Sequence, residues 1–141
     1  MIDVKEFLTV GQNAVDRKIV EKADTAGNYS TGLDDMLATP SCIDMVIRAA
    51  ADATNKYLPE GFVTIGLSVN YIHDAPTVLG MTINVKATLV KIDGKRLVYE
   101  VEAWDELGTV GHGIHERLVV QQTEVVKKAK ERTKFLAQRT S

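Results

Sequence analysis

TPSCIDMVIRAAADATNKY, residues 39–57, is the stretch whose reading decides the fold. Thr39 followed by Pro40 is a helix-start signal. The hydroxyl is able to accept from an early backbone N–H, and a proline in the first turn gives up no hydrogen bond there. The spacing predicts a helix from Pro40 to about Tyr57, where Pro59 and Gly61 stop it. Its middle, MVIRAAADA, is apolar except for Arg48 and Asp52. So many alanines suit a helix gripped closely by a sheet.

The flanking segments supply that sheet. QNAVDRKIVE alternates imperfectly and predicts a first strand over 12–21. The loop KADTAGNYSTGLDDM follows, with room for one helical turn, and leads straight into the helix. Four segments of period-two alternation come after the helix. FVTIGLSVNYIH places Val63, Ile65, Leu67, Val69 and Tyr71 on one face, and MTINVKATL does the same with Met81, Ile83, Val85, Ala87 and Leu89. LVYEVEAWD sets Leu97, Tyr99, Val101 and Ala103 against Glu100 and Glu102. In VGHGIHERLVV the glycines at 111 and 113 mark a bulge or a close backbone approach. Asp93-Gly94 is a strong hairpin signal. Several of these strands are ten residues or longer, above the usual mode of ~5–6. A long antiparallel sheet with one alanine-rich helix is solved by wrapping the sheet around the helix. The expectation is an α+β hot-dog fold, with the charged tail TEVVKKAKERTKFLAQRTS as an extra C-terminal helix. One domain is expected over 1–141, with its core at about 11–120 and a helix or tail at 121–141.

Composition bounds the function. The 141 residues are 45% apolar and 26% charged, ordinary for a soluble domain. The formal charge of −2 gives no long-range attraction for nucleic acid or an anionic membrane. A single cysteine excludes an intramolecular disulfide and fits a reducing compartment. No segment approaches the ~20 apolar residues of a membrane span, and the N-terminus has no signal-peptide core. The expectation is a cytoplasmic protein with neither nucleic acid nor membrane as partner.

His73 stands out among the candidates for chemistry. It shares parity with Val63 through Tyr71 and ends its strand just before DAP. There it is placed either as a general base or acid or as a core-edge histidine held by one hydrogen bond. Thr39 reads as a nucleophile or water-positioner, and equally as a helix cap. Cys42 sits where a helix N-terminus lowers a thiol pKa, though packing explains it as well. Asp44 and Arg48, four apart, are placed to pair along the helix. His112 and His115 have opposite strand parity, which argues against a shared metal, and no metal site is expected. The run KKAKERTK reads as a solvated helix face, with a weak claim on phosphates.

LATPS, GLSVNYIHDAPTVLGMTINVKATL and GHGIHERLVV, in this order and spacing, resemble the fluoroacetyl-CoA thioesterase-like branch of the hot-dog superfamily, over about residues 11–120. The resemblance implies hydrolysis of the thioester of a small or medium acyl group, with CoA as part of the substrate and no bound cofactor. It implies a homodimer with the active site between protomers. In that family a helix-entrance threonine, a helix glutamate and a strand-end histidine act together. By position Thr39 matches the threonine, His73 the histidine and Gly66 a strand glycine that lies against the substrate. Arg117 falls in the matching HER sequence. Gly66, Cys42 and Arg117 are thus expected on the substrate side. The chain departs at the glutamate, eight residues after the threonine, where it has Ile47. Asp44, one turn earlier on the same helix face, is the substitute expected; Asp34 and Asp35 are weaker. The alternative is a protein that binds acyl-CoA with little or no hydrolysis.

Overall fold

The computed structural model describes residues 2–140, and every side chain in that range except those at 135 and 137–140. Five strands make one antiparallel sheet: β1 (Asn13–Ile19), β2 (Phe62–His73), β3 (Thr82–Asp93), β4 (Arg96–Asp105) and β5 (Gly108–Gln121). Their order is β1-β3-β4-β5-β2, so β1 and β2 form the edges. Helix α1 (Thr39–Thr54) lies across the concave face against β3 and β1, and α2 (Gln122–Thr140) continues from β5. This is the hot-dog architecture expected from the alternation around an alanine-rich helix.

The alanines explain the closeness of the wrap. Cys42, Met45, Val46, Ala49, Ala50 and Ala53 are all fully buried on one face of α1. They meet the inward row Ile83, Val85, Ala87 and Leu89 of β3 and the row Leu97, Tyr99, Val101 and Ala103 of β4. Small side chains on the helix let a strongly curved sheet close around it at interior packing density. The last predicted turn of α1 is instead a separate 3-10 turn at Asn55–Tyr57, and the loop before α1 contains two such turns, Lys22–Asp24 and Ala26–Asn28.

Strand β2 departs from the alternation read in the sequence. Gly66 pairs with Arg117 and Ser68 with Glu116, which leaves Leu67 as an extra residue. This bulge reverses parity. Before it Thr64 faces the core and Ile65 faces out; after it Val69, Tyr71 and His73 turn inward while Ile72 faces out. The single apolar face running from Val63 to Tyr71 is therefore two half-faces. Gly111 and Gly113 behave as expected. Val110 is an extra residue in the β4–β5 pairing, and both glycines are sites of close approach. A Cβ at Gly113 would overlap the Asn70 carbonyl, and one at Gly111 the Tyr71 hydroxyl.

Gly113→Ala is expected to lower stability by about 1–3 kcal/mol, because the strand backbone opposite has no flexible atom to withdraw. A urea midpoint equal to that of the parent protein would contradict this packing.

Candidate active site

Three backbone ties fix the segments around the entrance of α1 and the end of β2, and the first joins the two. Leu37 N–H donates to the Thr77 carbonyl at 2.8 Å, Ala38 N–H to the Asp24 carbonyl at 2.8 Å, and Asp74 N–H to the Val110 carbonyl at 2.7 Å. The buried Thr77 hydroxyl donates to Asp105 at 2.8 Å and fixes the turn that follows β2. Thr39 and His73, 34 residues apart in sequence, thereby meet with Oγ1 and Nδ1 at 2.9 Å.

Thr39 is not the helix cap that its sequence context suggests. Ala38 takes the N-cap position with extended backbone and no side-chain cap, and Thr39 lies in the first turn. Its hydroxyl is spent on the imidazole. Pro40 has no N–H, while the N–H groups of Ser41 and Cys42 both reach the Ala38 carbonyl. The Thr39 N–H is left as the donor without an acceptor at this helix start. Thr39 and His73 line a cleft of about 230 Å³ with Ala26, Met36, Leu37 and the 74–76 turn.

Tyr71 and Cys42 lie behind this pair. The Tyr71 and His73 ring centroids are 6.1 Å apart. Neither the Tyr71 hydroxyl nor His73 Nε2, both buried, has a hydrogen-bond partner. The Cys42 thiol lies beside the Tyr71 hydroxyl, close enough for each to shift the other's pKa. Burial pushes the Cys42 thiol up, and the Tyr71 hydroxyl and its own backbone oppose this only in part. Cys42 is thus a protonated core thiol and not an activated one. The sequence reading counted Tyr71 only as an apolar-face residue. The missed signal was a phenol two residues before a strand-end histidine, which puts both on one face.

Asp44 is not brought to this pair. It forms an exposed ion pair with Arg48 at 2.8 Å and has no contact with Thr39 or His73. Asp34 and Asp35 remain in the exposed loop. Ile47 is 40% exposed on α1, two helical turns beyond Thr39. Asp74 pairs with His112 at 2.8 Å in an exposed contact. No hydrogen bond joins a carboxylate to Thr39 or His73 among the described residues, and no group of His, Cys, Asp and Glu there is arranged to hold a metal.

A second polar cluster surrounds Arg117 of β5, across from Gly66 of β2. Its Nε and Nη2 donate to the hydroxyl and carbonyl of Thr64, each at 2.8 Å, and its Nη1 to His115 Nε2 at 3.2 Å. His115 Nδ1 lies 2.8 Å from the Ser68 carbonyl. A carbonyl only accepts and a guanidinium only donates, so His115 is neutral with its proton on Nδ1. Burial, the largest cause, lowers its pKa below 6.5; the nearby Arg117 charge adds to this and the Ser68 bond opposes it. Arg117 is 5% exposed and has no carboxylate partner among the described residues. Gly66 lies directly across from it, where a Cβ would stand 3.7 Å from Arg117 Nη1.

Residues 20–123 match the family model described as fluoroacetyl-CoA-specific thioesterase, FlK. The chain belongs to that family. A fluoroacetyl-CoA thioesterase of Streptantibioticus cattleyicolor is 30% identical over 99 residues, covering 70% of this chain and 71% of that protein. A crystal structure of a hot-dog-like protein from Thermanaerovibrio acidaminovorans is 31% identical with a TM-score of 0.88, over 93% of this chain and 97% of the other. A thioesterase superfamily member from Thermus thermophilus is 27% identical with a TM-score of 0.80, over 89% and 96%. The chain is thus an acyl-CoA thioesterase-like protein. No described helix is long and apolar enough to cross a membrane.

The neutral state of His115 has a consequence for pH. The unfolded chain takes up this proton near pH 6.5 and the folded chain only at lower pH, so stability falls as pH drops below about 6.5. The slope from this one group is at most about 1.4 kcal/mol per pH unit. Urea midpoints between about pH 7.5 and 5.5 should fall more for the parent than for His115→Gln. Equal falls would mean that His115 is not held neutral.

Proposed function

We propose that the protein hydrolyses acyl-CoA thioesters of a small or medium acyl group, with His73 as the base. The carrying observation is the 2.9 Å contact between Thr39 Oγ1 and His73 Nδ1 at the mouth of a cleft, in a chain of this family. An imidazole titrates near neutrality and accepts a proton at working pH. The contact has two protonation states. With the Thr39 hydroxyl donating, Thr39 is the nucleophile. With the imidazole donating, Nε2 is the free base and water is the nucleophile. Either way the attacking oxygen bonds to the thioester carbon and the C–S electron pair leaves with sulfur. The proton held by His73 passes to that sulfur, giving a free acid and CoA once any acyl-threonine has been hydrolysed. The Thr39 N–H is the helix-start donor available to the carbonyl oxygen.

Gly66, Arg117 and Cys42 are assigned to the substrate side in this reading, although Cys42 is fully buried and does not line the cleft. Asp44 has the weakest claim, since its carboxylate is taken by Arg48. The protein is proposed to be cytoplasmic and to need no bound cofactor.

A homodimer belongs to the same proposal, and distance supports it. Across from β2, His73 pairs with Gly111 and Gly66 with Arg117, six residues along β5. At about 3.3 Å per residue that is about 20 Å, too far for His73 and Arg117 of one chain to share a short acyl group. Two β2 edges laid antiparallel would bring the Arg117 region of one protomer toward His73 of its partner. The edge also exposes Ile65, Leu67 and Ile72, which would be covered by such pairing. The alternative, acyl-CoA binding without hydrolysis, is favoured by Ile47, which can neither take a proton nor attack.

Short, long and aromatic acyl-CoAs with thiol detection decide between these readings. Release of CoA from short or medium chains is expected. Intact thioesters, with CoA bound by calorimetry, would leave the binding reading instead. His73→Ala should lower kcat at least about 100-fold, whereas Ile47→Ala should leave it within about twofold. An unchanged rate in His73→Ala would remove that residue from the chemistry. Light scattering should give at least a dimer, and a monomer at assay concentration would refute the shared site.

A further inference from the structure

We propose that Tyr71 is a catalytic residue of this chain: its hydroxyl and His73 Nε2 together hold the attacking water, the task for which Ile47 offers no carboxylate. This rests on the thioesterase reading of the same site and selects water over Thr39 as the nucleophile. Two buried polar atoms without a hydrogen bond are an exception that demands a reason in a well-packed interior. Here they are the hydroxyl of Tyr71 and Nε2 of His73, from side chains two residues apart on one strand face. The Tyr71 hydroxyl stands over Gly111, the residue paired across the strands with His73, so the phenol leans toward the histidine. A side chain at Gly111 would occupy its place. On its other side the imidazole is fixed by Thr39.

The chemistry follows from donor and acceptor counts. The Nδ1–H of His73 donates to Thr39 Oγ1, which leaves the Nε2 lone pair free. A water donates one hydrogen to Nε2 and the other to the phenol oxygen, so that its own lone pair is aimed at the thioester carbon. As its oxygen bonds to that carbon, one proton moves to Nε2. When the C–S bond breaks, the electron pair goes to sulfur and the proton follows from Nε2. Burial keeps the phenol protonated far above its ordinary pKa, so Tyr71 orients the water and does not deprotonate it.

Tyr71→Phe removes one oxygen and keeps the ring. Because the hydroxyl bonds to no other protein group, its deletion should leave the thermal midpoint equal or higher. In the same variant kcat should fall about tenfold or more while KM stays within about twofold. A purely structural Tyr71 would show the reverse, a lowered midpoint with kcat kept, and that result overturns the proposal. The His73 titration, followed by NMR, is a readout independent of turnover. Loss of the shared water should move its midpoint by more than about 0.3 pH units in Tyr71→Phe. If the parent protein hydrolyses no thioester, the hydrolase reading has failed on its own. An unmoved His73 midpoint would then sink the Tyr71–His73 pairing separately.

Discussion

The burial of the alanine face of α1 against the sheet is the contact on which everything else depends. Ala49, Ala50 and Ala53 present almost no volume, so the sheet curves around the helix without leaving voids. Curvature of that degree is sustained by strands of 10–14 residues, from β4 to β5. A helix of 16 residues is about 24 Å long, while strands of 10–14 residues span about 33–46 Å. The end of β2 therefore arrives beside the first turn of α1, and a threonine and a histidine far apart in sequence come within hydrogen-bond distance.

The bulge at Leu67 is the second constraint, because it decides what shares the interior face. In a regular strand Gly66 and His73 would point to opposite sides, being an odd number of residues apart. The extra residue cancels that difference, so Thr64, Val69, Tyr71 and His73 all turn inward and Gly66 stands across from Arg117. The same distortion sets Ser68 where its carbonyl receives the Nδ1 proton of His115. That fixes the imidazole as an acceptor for Arg117, a buried cation satisfied by neutral groups alone. Removing one such acceptor leaves a buried charge less solvated, so the cluster is more sensitive to single changes than an exposed ion pair like Asp44–Arg48.

Much of this was legible in the sequence. Alternation, the Asp93-Gly94 turn and the alanine run fix strand number, hairpin order and the central helix, because each is a local signal with a local cause. Parity failed inside β2 because a bulge has no strong residue signature when the extra residue is a leucine between Gly66 and Ser68. Of the two readings the sequence allows Thr39, the cap is the one the structure removes: capping is the usual use of a hydroxyl there, and only the long-range arrival of His73 displaces it. His115 was weighed only as a metal ligand. Its use as a neutral acceptor depends on a carbonyl 47 residues away, which no local pattern reveals.

Ile47 changes the electrostatics of α1 as well as its chemistry. A carboxylate there would join Asp44 and Asp52 on the exposed side of the helix, with Arg48 the sole cation among them. The isoleucine relieves that repulsion and adds hydrocarbon to a helix whose exposed side is otherwise charged. Under the proposed reading, a neutral hydroxyl stands in for the missing carboxylate: the Tyr71 hydroxyl is buried, and burial, the largest cause, pushes its pKa up.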